Sequence, residues 1–350
     1  MGVISMKLDQ RKLNILQAII DDYIISAEPV GSRTIAKKYN LGISSATIRN
    51  EMADLEEMGY LEQPHTSAGR IPSDKGYRLY VDCLMTTRVL SLPQANYIKE
   101  LYKKSTNQIE QIIFQTSRIL STITNYTAVV LEPKLNEVLI KHIQLVPIDR
   151  RCALLVVVTN TGIARDTIIR ISEGVDSDYL YRISNMLNQL YKDKSLDDIS
   201  LEPLINMQKN VAKNREFFNS LIDALTVSID IEDAREVYLG GTSNIFNYPE
   251  YQDIIKAKEF LDLMEQKDLL YRLLIGSRGN GVSVTIGQEN EYKELQDYSV
   301  ITATYNAGSQ PLGILGIIGP TRMEYSKAIS VMDFMGETLS QYLTRLFAKE

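Results

Sequence analysis

The chain has 350 residues, 44% of them hydrophobic, which is enough for two or three packed domains and too much for a disordered polymer. Two cysteines (Cys83, Cys152) and two histidines (His65, His142) cannot assemble a disulfide framework or a Cys/His zinc site, so no metal is expected. The formal charge is −6, yet residues 1–90 carry 11 basic and 11 acidic side chains against 27 and 33 in the rest, so any surface for nucleic acid must come from local clustering.

The opening "MGVISMKLDQRK" has no apolar stretch of the export type. The longest apolar run, "CALLVVV", is far short of the roughly 20 residues that span a bilayer, so a cytoplasmic protein with no membrane partner is expected. From Asp9, a candidate N-cap, Leu13, Leu16, Ile19, Ile20 and Tyr23 recur at helical spacing. "EPVGS" breaks the pattern, and "RTIAKKYN" forms a short second helix behind Ser32. After the turn "LGIS", Ser44 or Ser45 caps a third helix that turns Ile48, Met52 and Leu55 to the core. Its opposite face holds Ala46, Asn50 and Ala53, flanked by Ser45, Thr47 and Arg49. Small residues let a helix approach base edges, Asn can bond adenine in a bidentate way, and Arg can reach guanine or phosphate.

Gly59 ends the third helix, "YLEQ" alternates as a strand, residues 64–69 form a turn-rich tip, and "RIP" returns as a second strand closed by Pro72. Ser73 then caps a fourth helix with Tyr77, Tyr80, Val81 and Leu84 on one face. Three helices and a hairpin at this spacing predict a winged helix-turn-helix over residues 1–92. Its expected DNA contacts are Ser44, Ser45, Thr47, Arg49 and Asn50 on the third helix, Thr66, Ser67 and Arg70 in the wing, and Lys75 and Arg78 extending the positive side.

"SSATIRNEMADLEEMGYLEQPHTSAGRIPSDKGYRLYVD", "YLGGTSNIF", "IGQEN" and "GILGIIGPTRMEYSKAI" follow one another in this order along the chain. On these motifs it resembles the bacterial heat-inducible transcription repressors (HrcA) over nearly its whole length. The resemblance implies a homodimer on an inverted-repeat operator upstream of chaperone operons, with activity supported by a GroEL-type chaperonin. It also implies a GAF-like core domain carrying an inserted dimerising segment.

Beyond the Leu92-Pro93 break, Ile98, Leu101 and Tyr102 mark a short helix, and Ile109, Ile112, Thr116, Ile119 and Ile123 a longer one, too short at two heptads to claim a coiled coil. "VLIKHIQLVPI", "CALLVVVT" and "IARDTIIRI" read as an antiparallel meander. Residues 178–234 are mainly helical in pattern. "VSVTIG", "SVITATYN" and "LGILGIIG" are strands, and a closing helix runs from about Tyr325 to Leu346. The expected organisation is α+β and multidomain: 1–92 winged helix, 93–172 with 270–350 the GAF-like α/β core, and 173–269 the inserted, mainly helical, dimerising segment.

Glycine-rich pieces carry no cofactor motif. Val284 stands where the third Gly of a dinucleotide fingerprint would be in "GSRGNGVSV", and Gly240-Gly241 follow a strand where a turn outweighs an anion cradle. No acid, base and nucleophile converge, so neither an enzyme nor a cofactor is expected. A second reading is a regulator that senses a small molecule in the GAF-like domain.

Overall fold

The computed structural model describes residues 8–65, 68–86, 90–103, 109–133, 139–160, 164–171, 175–196, 199–210, 215–229, 237–277, 281–308 and 310–347. In chain order α1 (Gln10–Ser26), α2 (Ser32–Lys38) and α3 (Ser45–Glu57) precede a hairpin of β1 (Leu61–Glu62) and β2 (Ile71–Pro72). Next come α4 (Asp74–Leu79), extended by a π-helical turn Tyr80–Leu84, then α5 (Leu92–Lys103), α6 (Ile109–Thr124) and β3 (Thr127–Leu131). A middle section holds β4 (Ile140–Pro147), β5 (Cys152–Thr159), β6 (Ala164–Arg170), α7 (Ser177–Tyr191), α8 (Glu202–Asn210) and α9 (Arg215–Ile229). The chain closes with β7 (Val237–Gly240), α10 (Ile254–Glu265), α11 (Lys267–Gly276), β8 (Val282–Ile286), β9 (Tyr298–Ala307), β10 (Gln310–Pro320) and α12 (Tyr325–Phe347). The protein is a mixed helix-and-sheet molecule of two compact units, one of residues 1–104, 114–131 and 237–350, the other of residues 105–113 and 132–236. Among the described residues no helix is long and apolar enough to cross a membrane.

In the first unit an antiparallel sheet runs in the order β7-β3-β10-β9-β8. Phe260, Leu263, Leu270 and Leu274 of α10 and α11 pack with Val129, Val300, Ile314 and Ile318 of the strands. From α12, Ser340 accepts the Asn306 N–H at 2.8 Å and Thr344 the Gly308 N–H at 3.0 Å, and a Cβ on Gly336 would reach van der Waals contact with Ala303 of β9. Every residue of β3 is buried, so "TAVVL" shows none of the alternation that marks a half-exposed strand. A side chain at Gly240 would collide with the backbone oxygen of Ser117, so that glycine is a close approach of β7 to α6.

The second unit contains the antiparallel sheet β4-β5-β6. Ile143, Leu145, Leu155, Val157 and Ile169 share a core with Leu180 and Leu187 of α7 and Phe217, Leu221 and Leu225 of α9. Side chains of α7 occupy the free edge of β4: Asn188 accepts the Ile143 N–H at 2.9 Å and donates to its carbonyl at 2.6 Å, and Ser184 accepts the Leu145 N–H at 2.9 Å. That edge is thereby closed to pairing with another strand.

The limits differ from those expected. The meander, expected in the core at 93–172, belongs to the second compact unit, within its segment 132–236, while α10 and the start of α11, expected within 173–269, pack on the five-stranded sheet. Alternation shows that β5 has a buried face, but not which helices cover it.

Candidate nucleic-acid interface

α1, α2 and α3 close on one apolar centre of Ile15, Leu16, Ile19, Ile20, Ile35, Ile48, Met52 and Leu55, all buried. Asp9 accepts the Lys12 N–H at 2.8 Å and caps α1. Glu51 lies on the buried face of α3, where Lys12 bonds it at 2.6 Å and Arg11 at 3.4 Å. The hydrogen bonds that Lys12 donates to Glu51 and to Asp54 hold its ammonium above its ordinary range. α1 and α3 are therefore joined by charge as well as by packing.

Ser44 caps α3: its hydroxyl accepts the Thr47 N–H at 3.1 Å and shares a hydrogen bond with the Thr47 hydroxyl at 3.0 Å. Burying Ile48, Met52 and Leu55 turns Ala46, Arg49, Asn50 and Ala53 outward, and all four are exposed. Arg49 and Asn50 make no hydrogen bond or ion pair with any described residue. Ser45 and Thr47 flank this stripe, half-buried.

Leu61 pairs with Pro72 and Glu62 with Ile71 in the hairpin. Thr66 and Ser67, the expected tip contacts, lie outside the described residues. The return strand is fixed at its base by an attachment that spacing did not suggest. The Val30 N–H donates to the Arg70 carbonyl and the Arg70 N–H to the Val30 carbonyl, both at 2.9 Å. The two segments meet so closely that a Cβ on Gly69 would lie 2.5 Å from the Val30 carbonyl carbon and oxygen. The hairpin is thus held against the α1–α2 connection.

The basic residues expected along this surface do different things. Arg70 gives its fork to a single oxygen of Glu56, Nε at 2.8 Å and Nη2 at 2.7 Å. Lys75 donates to the Met58 carbonyl at 2.8 Å, beyond the end of α3, and lies 4.4 Å from the Tyr60 ring centre. Arg78 bonds Glu289 at 2.7 and 2.5 Å, the Val284 carbonyl at 2.6 Å and Asp82 at 3.1 Å. Burial pushes the Glu289 carboxyl up, but the Arg78 guanidinium and the Ile286 N–H more than reverse this and hold it below its ordinary range. Nearby, Asp74 accepts the Gln288 N–H at 2.9 Å, and Arg322 joins Glu250 at 2.6 Å to the Ile24 carbonyl at 2.5 Å. Lys75 and Arg78, expected to extend the positive side, thus also bind the end of α3 and the segment 284–289.

Arg33 was not singled out by spacing. It is exposed at the start of α2 and, with Gly31, Ser32, Arg49, Met52, Gln63, Ala68, Gly69 and Arg70, lines a cleft of about 610 Å³ between α2, α3 and the hairpin base. Only tertiary structure brings residues 33, 49 and 70 together. Among the described residues no three His, Cys, Asp or Glu side chains are grouped to hold a metal ion.

The model of the HrcA protein C-terminal domain matches residues 110–329 of this chain. The heat-inducible transcription repressor HrcA of Alkaliphilus metalliredigens (strain QYMF) is 45% identical over 97% of this chain and 98% of its own length. The repressor of the same name from Ruminiclostridium cellulolyticum is 46% identical over 97% and 99%. A crystal structure described as that of a hypothetical protein superposes with a TM-score of 0.66 at 26% identity, covering 97% of this chain and all of that one.

Proposed function

The chain belongs to the HrcA family of heat-inducible transcription repressors, and from that premise we propose how its parts divide the work of repressing heat-shock genes. Residues 8–86 act as a winged helix whose α3 enters the major groove. Asn50 reaches base edges, Arg49, Ser45 and Thr47 meet the backbone beside them, and Ser44 serves as the cap that sets the helix entry. The hairpin is the wing, with Thr66 and Ser67 at its tip and Arg70 at its base, against the sugar-phosphate surface. The observation that carries this reading is the outward stripe of Ala46, Arg49, Asn50 and Ala53, in which two small residues leave room for a groove and two long polar ones have no partner among the described residues.

The five-stranded sheet with its helices is the GAF-like core, and residues 132–236 are the dimerising insertion. On the outer face of its sheet Val146, Leu154 and Ile168 stand in one cross-strand row, Val146 43% and Ile168 66% exposed. An apolar row of this kind suits a two-fold contact, and a dimer matches an inverted-repeat operator. The chaperonin, a partner implied by family membership, raises the fraction of molecules competent to bind rather than the affinity of each.

DNase footprinting on DNA from upstream of the chaperone operons, with a GroEL-type chaperonin titrated into the same reactions, tests this. Two symmetric protected half-sites, and more active protein at constant affinity as chaperonin is added, are expected. Absence of protection at active concentrations refutes the operator reading. Ile168→Lys, examined by sedimentation, should shift the dimer toward monomer; an unchanged dimer removes that sheet face from the interface.

A further inference from the structure

Three arginines from distant points of the chain line one cleft, and their circumstances differ. Arg33 and Arg49 are exposed and unpaired with any described residue, whereas Arg70 is committed to Glu56. Unpaired arginines facing a common space repel one another and gain from an anion between them. The walls are set in place. Arg49 is on a helix packed through Ile48 and Met52, and the hairpin side is fixed by the reciprocal Val30–Arg70 bonds at 2.9 Å and by the lack of room for a side chain at Gly69. The anion would therefore enter a preformed seat.

We propose that this cleft seats one backbone phosphate of the DNA, shared between Arg33 and Arg49, with Arg70 held by Glu56 as part of the wall. This rests on the reading of α3 as the DNA-facing helix and adds Arg33 and a defined phosphate register to it. Adjacency favours a DNA phosphate over a free one. Arg49 borders the cleft while Asn50, its neighbour in sequence, faces outward on the same helix, so a phosphate on Arg49 and a base edge at Asn50 can belong to one duplex. The seat would then fix the duplex before any base is read, which is the usual division between backbone and base contacts.

The test uses the full-length protein on two duplexes, the footprinted operator and a random sequence of equal length, with affinities measured across salt concentrations. Arg33→Ala should weaken both duplexes by the same factor, about tenfold, as expected for loss of a charge-assisted hydrogen bond. The Arg33→Ala/Arg49→Ala double variant should lower the log-salt slope by about 0.9, the value for one phosphate; a fall of about 1.8 means two separate phosphates and overturns the shared seat. Arg272→Ala, which removes an exposed charge on α11, controls for net charge, and an Arg33 variant indistinguishable from it also overturns the proposal. Asn50→Ala keeps the two readings apart. If the Arg33 effects appear while Asn50→Ala retains the operator preference, the base-reading assignment fails and the seat stands. Calorimetry with sodium tripolyphosphate is the remaining arm. Micromolar binding abolished by Arg33→Ala would assign the cleft to a free phosphorylated ligand and overturn the DNA assignment, whereas no such binding supports it.

Discussion

Gly69→Ala bears on whether the β1–β2 hairpin is positioned by the α1–α2 connection or merely lies beside it. A methyl group built on Gly69 lies 2.5 Å from the carbonyl carbon and oxygen of Val30 and 2.7 Å from the carbonyl carbon of Pro29, against 3.4 Å for ordinary contact. Relief requires the strands to part by about 0.9 Å, and the atoms in the way are backbone, so no rotamer change provides it. The same movement stretches both 2.9 Å bonds between Val30 and Arg70 beyond hydrogen-bonding distance. At about 0.5 to 1.5 kcal/mol each, their loss costs about 1 to 3 kcal/mol locally. Hydrogen exchange of the full-length protein reads this directly: the Val30 and Arg70 amides should lose protection while α1 core amides such as Ile19 keep theirs. DNA affinity should fall on operator and random duplex alike, because the hairpin side of the cleft is displaced. Parent-like protection at both amides would refute the claim that close packing at Gly69 holds the hairpin.

Arg78→Ala should leave the log-salt slope for DNA unchanged and lower the unfolding stability by about 1 kcal/mol after allowing for solvent screening of a part-exposed pair; a slope lower by about 0.9 would return Arg78 to the DNA surface. The buried Tyr77 hydroxyl finds no hydrogen-bond partner among the described residues, so Tyr77→Phe should raise stability by about 1 kcal/mol in urea denaturation, and a loss would mean the hydroxyl is satisfied. Burial pushes the phenols of Tyr77 and Tyr325 above their ordinary value of 10.0, so the unfolded chain ionises first. Their contribution is complete below pH 10.0 and is lost as pH rises above it toward the folded values. Denaturation midpoints taken between about pH 8 and 11.5 should fall in the upper part of that range, less steeply in Tyr77→Phe, and a flat profile would contradict the burial.

The helices and the candidate DNA face were legible because their signals are local. Ser44 and Asp9 cap as their residue types suggest, and the 3.6-residue period that buries Ile48, Met52 and Leu55 also turns Asn50 outward. What pattern could not supply was pairing between distant segments. Arg78 and Arg70 look like equivalent exposed charges in sequence, but one meets Glu289, 211 residues away, and the other meets Glu56. β3 was silent because burial on both faces removes alternation. The insertion limits followed the change from strand to helix pattern, whereas the structure divides the chain by which helices cover each sheet, so β4–β6 and α10 changed sides.

The operator preference of Asn50→Ala tests most directly whether α3 reads bases. The ratio of affinities for the footprinted operator and a random duplex should be measured at one salt concentration for parent and variant, with circular dichroism establishing equal folding. A bidentate contact to a base is worth about 1 to 3 kcal/mol of discrimination, so the ratio should fall about 5- to 150-fold while affinity for random DNA holds. A folded Asn50→Ala protein with the parent's preference would contradict the assignment of α3 as the base-reading helix.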